Sequence, residues 1–443
     1  MNQNLSHSRG HGTKLANLAV ALLAAGAFVG AADSAHASTY QITGLVTDDA
    51  ANNDPNGLLA SLGLPPAAHI DPNLVNPWGV SFTPTSPYWV SDNNSGFSTL
   101  YTAAGVQVSP PSPVTIADAA TPANPTGQVF NGNASLFIVT NGLPPGDPNF
   151  KSGSANFIFD TENGTISGRS NAVAASQSFI AVDNSPSGAV YKGLAIGTAT
   201  TPSGTGTFLY AANFNSGKVD VFDSSFKPAS GFSFTDPSLP PVPPGAVGWA
   251  PFNVYNDGNG HLFVSYAAQN AAKHDDVAGL GNGFIDEFDT NGNFIKRVAT
   301  GGVLNSPWGL DIAPAGFGAF ANDLLVGNFG NGGINVFDPN TDLFLGTLTD
   351  SNGNPIVIGD LWALVTGNTG TGSNPNAVYF TAGLMDEMHG LFGDLAVVPE
   401  PGSLALLATG LTGLMWFRRR RSAKVPTYLA KEPPSTQSSA PVM

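Results

Sequence analysis

Short apolar runs, separated by Gly, Asn, Asp and Pro, recur along most of the chain and predict strands joined by tight turns. Five of these runs have the same form, with apolar residues leading into a polar turn: YWVSDN, FLYAANF, LFVSYAA, LLVGNFG and VYFTAG. Runs of this length, bounded by turn residues, are typical of β-strands rather than helices. The central part of the chain is therefore predicted to be all-β.

Two further patterns accompany these runs and give the chain a period. An apolar residue followed by Phe-Asp and a turn occurs four times, at Phe159-Asp160, Phe222-Asp223, Phe288-Asp289 and Phe337-Asp338. A second segment, aromatic in most copies, precedes each buried run at Trp78, near 135, near 192, and at Phe252, Trp308 and Trp362. The mean spacing of about 57 residues is typical of four-stranded propeller blades and is too long for the rungs of a parallel β-helix, the main competing fold.

Six blades fit residues 76–398. The early strand from Tyr40 to Asp48 would pair with the last blade and close the ring, so that no sheet edge is left open. In each blade, the Asp of Phe-Asp is predicted to cap the hairpin between the third and fourth strands. The predicted architecture is a six-bladed β-propeller over residues 38–397.

Charge excludes one class of partner. The chain of 443 residues has a formal net charge of −15. Between residues 38 and 398 there are 28 Asp and Glu against 8 Lys and Arg, a balance of −20. An acidic body repels phosphate backbones, so nucleic acid is not an expected partner. The chain has no cysteine, which excludes disulfides and thiolate chemistry.

The first 37 residues have the layout of a secretory signal peptide. A basic start with Arg9 and Lys14 leads into LANLAVALLAAGAFVGAA, and the small-x-small motif Ala35-His36-Ala37 comes next. This order predicts export and cleavage by signal peptidase after Ala37, with an uncleaved anchor as the alternative.

The other end of the chain has a second apolar segment. Residues 403–417 are uncharged, and a helix of this length is about 23 Å long, short of a hydrocarbon core of roughly 30 Å. Four arginines come directly after it, which places that side in the cytoplasm by the positive-inside rule. Residues 422–443 are predicted to be a disordered tail.

This C-terminal segment resembles a PEP-CTERM sorting signal. The resemblance rests on three parts in order: the motif Val398, Pro399, Glu400 and Pro401, then a short apolar helix, then Arg418, Arg419, Arg420 and Arg421. It implies anchoring in the inner membrane, processing by an exosortase near the Pro-Glu-Pro motif, and transfer to the cell surface or extracellular matrix. Exopolysaccharide is then a candidate partner.

The body is similar to the NHL and SMP-30-like propeller superfamily, through the order of a Pro-Trp-Gly segment, a buried run and a Phe-Asp turn. Together with the sorting signal, it looks like a family of bacterial PEP-CTERM proteins with a propeller body. That resemblance implies an architecture and no particular chemistry.

Candidate functional residues lie where loops of different blades meet. Trp78, Phe252, Trp308 and Trp362 begin the inner strands, so they are expected at one mouth of the central channel as a ligand face for sugars, with wedging of the blades as the alternative. Two loops at that mouth contain histidine with carboxylates, which suit calcium or another divalent metal; the candidate ligands are His274, Asp275, Asp276, Glu387 and His389. The DTNGN and DSNGN turns lack the glutamate that an EF-hand loop needs at its twelfth position, so turn chemistry is favoured there.

No recognised catalytic motif occurs, and this favours binding over catalysis. The leading hypothesis is a surface-sorted propeller that binds or builds the extracellular polysaccharide matrix. The alternatives are a metal-assisted hydrolase or lyase and a purely architectural surface protein, because propeller folds support all three.

Overall fold

The computed structural model describes residues 38–399 of the chain. These residues are almost entirely strands and turns, with two helical segments of four residues each, Leu58–Ser61 and Leu384–Glu387, and three 3₁₀ turns, Ala50–Asn53, Ser185–Ser187 and Gly318–Phe320. The strands in chain order are β1 (Tyr40–Thr47), β2 (Ala67–Ile70), β3 (Pro77–Ser81), β4 (Tyr88–Asp92), β5 (Phe97–Tyr101), β6 (Val114–Thr115), β7 (Pro125–Phe130), β8 (Ile138–Thr140), β9 (Ser152–Ser154), β10 (Phe157–Thr161), β11 (Thr165–Arg169), β12 (Phe179–Asp183), β13 (Tyr191–Thr201), β14 (Gly204–Asn213), β15 (Lys218–Asp223), β16 (Gly248–Asn256), β17 (His261–Gln269), β18 (Phe284–Asp289), β19 (Phe294–Thr300), β20 (Pro307–Ile312), β21 (Leu324–Asn328), β22 (Ile334–Phe337), β23 (Phe344–Thr347), β24 (Leu361–Thr366), β25 (Val378–Ala382) and β26 (Leu391–Val397).

Six antiparallel sheets form the blades of a propeller, which confirms the predicted fold class. Their strands are β3–β6, then β7 with β10–β12, β13–β15, β16–β19, β20–β23, and β24–β26 with β1. The first strand of each blade contacts the first strands of the blades on either side, including β24 with β3, so these six strands surround a central channel.

The ring closes as the sequence predicts. Strand β1 lies antiparallel to β26, from the pair Tyr40 and Val397 to the pair Thr47 and Leu391, and so completes the last blade. Strand β2 adds a parallel strand outside β1. All described strands of the blades find their partners between Tyr40 and Val397, so the ring of six blades is complete within these residues.

Burial falls from the axis to the rim. Strands in the middle of the blades, such as β21 (LLVGN) and β25 (VYFTA), are buried at every position because neighbouring blades cover both faces. The outermost strands are less buried, and β23 has no buried residue. This gradient explains the continuous apolar runs of the middle strands, since alternation is lost when both faces of a sheet are covered.

The second blade corrects two expectations. Its first strand is β7 (Pro125–Phe130) rather than a segment near 135, because the hairpin β8–β9 is inserted before the second strand. Phe159-Asp160 therefore lies on the second strand, β10, and Asp160 is buried and accepts a hydrogen bond from Thr126 at 2.8 Å. The other three Phe-Asp aspartates do cap hairpins after the third strand; Asp223, for example, accepts from the backbone N–H of Ser225 at 2.8 Å.

Side chains connect the inner strands, which have no shared backbone ladder. Gln128 Nε2 donates to the carbonyl of Gly79 at 2.6 Å, Asn253 Nδ2 to that of Trp308 at 2.9 Å, and Asn256 Nδ2 to that of Ile196 at 2.8 Å. The strands approach closely enough that a Cβ on Gly309 would lie 2.6 Å from the Trp362 carbonyl oxygen. These contacts fix the diameter of the channel.

Several predicted segments lie outside the described residues. They are the signal peptide with Ala35 and Ala37, and everything after Pro399, namely Glu400, Pro401, the helix 403–417, the arginine cluster and the tail 422–443. Within the described part, no helix combines the length and the apolar content that a bilayer crossing requires.

Candidate functional site

Aromatic rings from four inner strands pack together at one end of the channel. The rings of Trp78 and Trp362 stack with centroids 3.4 Å apart, and Trp308 meets both edge-on at 6.0 and 5.7 Å. Phe252 lies 5.9 Å from Trp362. All four side chains are at least 96% buried, so the structure places them inside the channel as a plug rather than on an exposed face.

A lysine takes the place of the aromatic residue in the third blade. Tyr191-Lys192-Gly193 at the start of β13 corresponds to Pro-Trp-Gly at the starts of β3 and β20. Lys192 Nζ lies 5.2 Å from the centroid of the Trp78 ring, a cation–π contact, and the carbonyl of Lys192 accepts from Trp308 Nε1 at 2.8 Å. The side chain is 4% exposed, so a positive charge is buried at the top of the plug.

Two carboxylates from other blades neutralise this lysine. Glu162, in the turn between β10 and β11, forms a short ion pair with Lys192 Nζ, and Asp275 Oδ1 lies 3.7 Å from the same nitrogen. Burial by itself lowers the pKa of Lys192, but the charges of Glu162, Asp275 and Glu387 outweigh it and the net pKa is raised. Lys192 therefore stays protonated at any physiological pH.

Three side chains above Lys192 could hold a metal ion. Glu162, His274 and Asp275 each offer one ligand atom, and these atoms all lie within 4.8 Å of one another. His274 Nδ1 is 2.7 Å from Asp275 Oδ1; this hydrogen bond raises the pKa of the imidazole and lowers the pKa of the carboxyl. Imidazole nitrogen with carboxylate oxygens suits several divalent ions.

The loop that brings Glu387 to the same place is strained. Met385, Asp386 and Glu387 all have left-handed backbone conformations, with φ of 61°, 52° and 67°. Each such residue costs roughly 1–2 kcal/mol when it is not glycine. Asp360 offsets part of this cost, because its Oδ2 accepts from the backbone N–H of Asp386 at 2.9 Å, and Asn94 Nδ2 donates to the Glu387 carbonyl at 2.7 Å.

Glu387 and Asp276 complete the group of carboxylates. Glu387 Oε2 accepts from Asn76 Nδ2 at 2.8 Å; burial, with Glu162 close by, raises the pKa of Glu387 to about 7. Asp276 accepts a short hydrogen bond from Ser306, and burial raises its pKa as well. The charged mouth is defined here as Glu162, Lys192, His274, Asp275, Asp276, Asp360 and Glu387.

His389 is placed elsewhere. Its Nδ1 lies 2.9 Å from Asp48 Oδ2 and 3.5 Å from Asn52 Nδ2, at the seam where β1 meets the last blade. Of the five metal ligands expected from sequence, His274 and Asp275 are thus joined with a new partner, Glu162, while His389 belongs to the closure of the ring.

Sequence reasoning missed Glu162, Lys192 and Asp360. Lys192 is the only charged residue at the repeated inner-strand position, so the break in the repeat was the signal. Glu162 lies in the turn of the blade whose strands were misplaced, and its equivalence to the Glu387 loop was hidden by the inserted hairpin.

Comparison with known families identifies the C-terminal segment. Residues 397–421 match the PEP-CTERM protein-sorting motif. This motif indicates export and membrane-associated sorting, and it agrees with the three-part pattern seen in the sequence.

The body is similar to uncharacterized proteins of Acanthamoeba polyphaga mimivirus. One is 31% identical over 334 residues, which cover 74% of this chain and 76% of the relative. Another is 32% identical over 335 residues, covering 74% and 82%.

Solved structures with similar folds share little sequence with this chain. A glucose dehydrogenase has a TM-score of 0.41 at 12% identity and covers 74% of this chain and 97% of its own. Virginiamycin B lyase from Staphylococcus aureus has a TM-score of 0.38 at 11% identity, covering 82% and 100%. Similarity at this level transfers no activity to the chain.

Proposed function

The chain belongs to the family of these two mimivirus proteins, and from this premise we propose that it is an exported propeller that binds the extracellular polysaccharide matrix through its charged mouth. The sorting motif supports export and processing by an exosortase near Pro399-Glu400-Pro401. The charged mouth supports a binding role, and the remaining argument concerns that site.

One observation carries the proposal: a buried lysine, several half-buried carboxylates and a strained loop occur together at the end of the channel. Buried charges cost free energy, and a left-handed turn of three non-glycine residues adds to that cost. Contact between inner strands does not require either feature, because inner strands elsewhere in the ring are bridged by neutral side-chain hydrogen bonds. Costs of this kind are characteristic of sites that bind a ligand.

The charge balance of the mouth selects a cation. Five carboxyl groups surround Lys192 and His274. A divalent ion at Glu162, His274 and Asp275 would relieve their mutual repulsion and favour ionisation of Glu387. Hard divalent ions keep further positions for oxygen ligands, which the hydroxyl or carboxylate oxygens of a polysaccharide can fill. The metal would also offset carboxylate charge at the mouth, which would otherwise repel an anionic polymer.

In this arrangement the aromatic residues support the charged groups and lie beneath the ligand. Trp78 contacts Lys192, and Trp362 Nε1 donates to Asn76 Oδ1 at 2.9 Å, the same asparagine that binds Glu387. The plug therefore holds the charged groups in place, and sugars would contact the polar rim rather than the rings.

The test is cosedimentation of the segment 38–399 with purified exopolysaccharide, in calcium and in excess chelator. We expect binding in calcium, loss of binding in chelator, and loss in both conditions for the pair Glu162→Gln and His274→Ala. His261→Ala is the matched control, because His261 also pairs with a carboxylate, Glu287, and its side chain is 43% exposed against 46% for His274.

Equal binding by the double variant and by His261→Ala would refute a role for the charged mouth. Binding that survives the chelator would refute the metal. Fragmentation of the polymer in the same assay would instead identify the metal-assisted hydrolase or lyase considered from the sequence, and absence of binding in all conditions would favour a purely architectural protein.

A further inference from the structure

A cavity lies on the side of the aromatic plug that is opposite the charged mouth. It has a volume of about 500 Å³ and is lined by all six inner strands, from Trp308 at the plug to the ends of β16 and β24 at Asn256 and Thr366. Ligand sites in proteins have volumes of roughly 300 to 1,000 Å³. The cavity is therefore large enough for a small organic molecule.

The wall of this cavity offers mainly apolar surface to a ligand. Aliphatic and aromatic side chains that are only half-buried by the protein, such as Val80, Phe130, Ile196 and Val365, contribute to it. The amide side chains in the wall, Gln128, Asn253 and Asn256, donate hydrogen bonds to carbonyl groups of neighbouring inner strands. Water in the cavity thus finds few partners, and an apolar ligand that displaced it would gain free energy.

Charge restricts the ligand further. Among the described residues, the cavity wall has no lysine or arginine, and its single carboxyl group is Asp311. Asp311 accepts from Thr366 Oγ1 at 2.8 Å, and burial raises the pKa of Asp311 to about 7. An anionic ligand would be buried without a cationic partner, which is costly.

We propose that this channel is a second binding site, which takes a neutral, largely apolar molecule such as a two- or three-ring aromatic compound. The ligand would enter from the face opposite the charged mouth, because the plug closes the mouth side with rings in contact. This site is independent of the matrix-binding role proposed above.

Two dyes with one ring system provide the test. N-phenyl-1-naphthylamine is neutral, and 1-anilinonaphthalene-8-sulfonate adds a sulfonate to the same scaffold. With the segment 38–399, we expect saturable fluorescence enhancement by the neutral dye at one site per chain. The sulfonate should bind at least about tenfold more weakly, because the wall offers its charge no partner.

Variants locate the dye. Val365→Trp fills the channel from the last blade and Val80→Trp fills it from the first, and each should weaken binding of the neutral dye at least about tenfold through overlap. Val357→Trp is the matched control, because Val357 is 53% exposed and lies outside the cavity. It should leave the dye affinity unchanged, as should Glu162→Gln with His274→Ala.

The proposal is overturned if the neutral dye shows no saturable binding, or if Val357→Trp weakens it as much as the two channel variants do. It is also overturned if the charged-mouth variants abolish dye binding while the channel variants, shown to be folded by circular dichroism, do not. Having two channel variants keeps the test decisive if one of them fails to fold.

Discussion

The two ends of the central channel are built by the same six strands but have opposite character. On one side of the plug, loops from several blades bring carboxylates, a histidine and a buried lysine within reach of one another. On the other side, the wall is apolar, and its amide side chains are used to hold neighbouring strands together. The strands set the framework for both ends, while the chemistry of each end depends on the residues and loops that flank the strands there.

This contrast separates polar groups that stabilise the ring from polar groups that do not. Gln128, Asn253 and Asn256 each bridge two blades through a neutral hydrogen bond, a contact worth about 1 kcal/mol. Burial, together with the nearby charge of Glu162, instead raises the pKa of Glu387. Polar residues of the second kind are the ones that a ligand can stabilise.

Removing the plug should have the largest effect, since both ends depend on it. Trp362→Ala deletes a ring that stacks on Trp78 and on Phe329, at 3.4 and 4.1 Å, and it leaves Asn76 Oδ1 without its donor. We expect a loss of about 5 kcal/mol in the free energy of unfolding, measured by urea denaturation. Trp249→Ala, at a half-buried tryptophan outside the plug, should cost clearly less; an equal loss would show that the plug has no special role.

Lys192→Met tests the charged end alone. Methionine keeps the packing against Trp78 but leaves Glu162 without its cation, so we expect a loss of about 3 kcal/mol. A divalent ion should restore part of this stability, because the uncompensated carboxylates then bind it more tightly. Lys227→Met, at an exposed lysine, should change neither quantity. Stability of Lys192→Met that does not respond to metal would contradict a cation site at the mouth.

The sequence was sufficient to predict the ring because blade formation depends on local, repeated features. Apolar runs, Phe-Asp turns and the first strand's place in the last blade all result from periodicity and from the need to cover sheet edges. The second blade was misplaced for a physical reason: an inserted hairpin changes the spacing without changing the packing of β7 against its neighbours.

The charged mouth could be predicted only in part, because it depends on contacts between residues far apart in the chain. The histidine loop at His274 was identified from composition, but its partner Glu162 lies in a different blade. The aromatic residues were predicted at the correct end of the channel, yet their burial depends on how closely six strands approach, which a repeat does not reveal. A lysine that interrupts an aromatic repeat is a signal of such a site that can be recognised in the sequence alone.

Asp311 gives the apolar end a dependence on pH. Its pKa in the folded state is about 7, above the ordinary value, so the folded state binds this proton more tightly than the unfolded chain does. Its contribution to stability is complete below about pH 4 and is lost as the pH rises through about 7. Asp311→Asn imitates the protonated form. The difference in free energy of unfolding between this variant and the natural chain should therefore be about 2 kcal/mol more favourable to the variant at pH 7.5 than at pH 4.5. This is less than the full pKa shift gives, because water reaches the channel.

Asp338→Asn is the control for this pH dependence. Asp338 lies in an exposed turn, where the hydrogen bond from Thr341 lowers the pKa of its carboxyl, so its contribution is lost as the pH falls rather than as it rises. Because that loss occurs only below the ordinary pKa of an aspartate, melting temperatures measured from pH 4 to 8 should show a pH-dependent difference from the natural chain for Asp311→Asn and almost none for Asp338→Asn. Parallel trends would show that Asp311 is not held in its protonated form.

The smallest effect is expected at the turns that most resemble a calcium loop by sequence. Asp289 Oδ1 accepts from the backbone N–H groups of Asn291 and Asn293, both at 2.9 Å, and Asp350 Oδ1 accepts from those of Asn352 and Asn354 at 2.8 and 2.9 Å. These carboxylates are used to close the hairpin, as Asx turns are. Asp289→Asn and Asp350→Asn should therefore leave any calcium-dependent rise in melting temperature unchanged, whereas Glu162→Gln with His274→Ala should abolish it. If the turn variants remove the calcium response and the charged-mouth variants do not, then the cation binds at the rim of the blades, and the difference between the two ends of the channel has no bearing on metal binding.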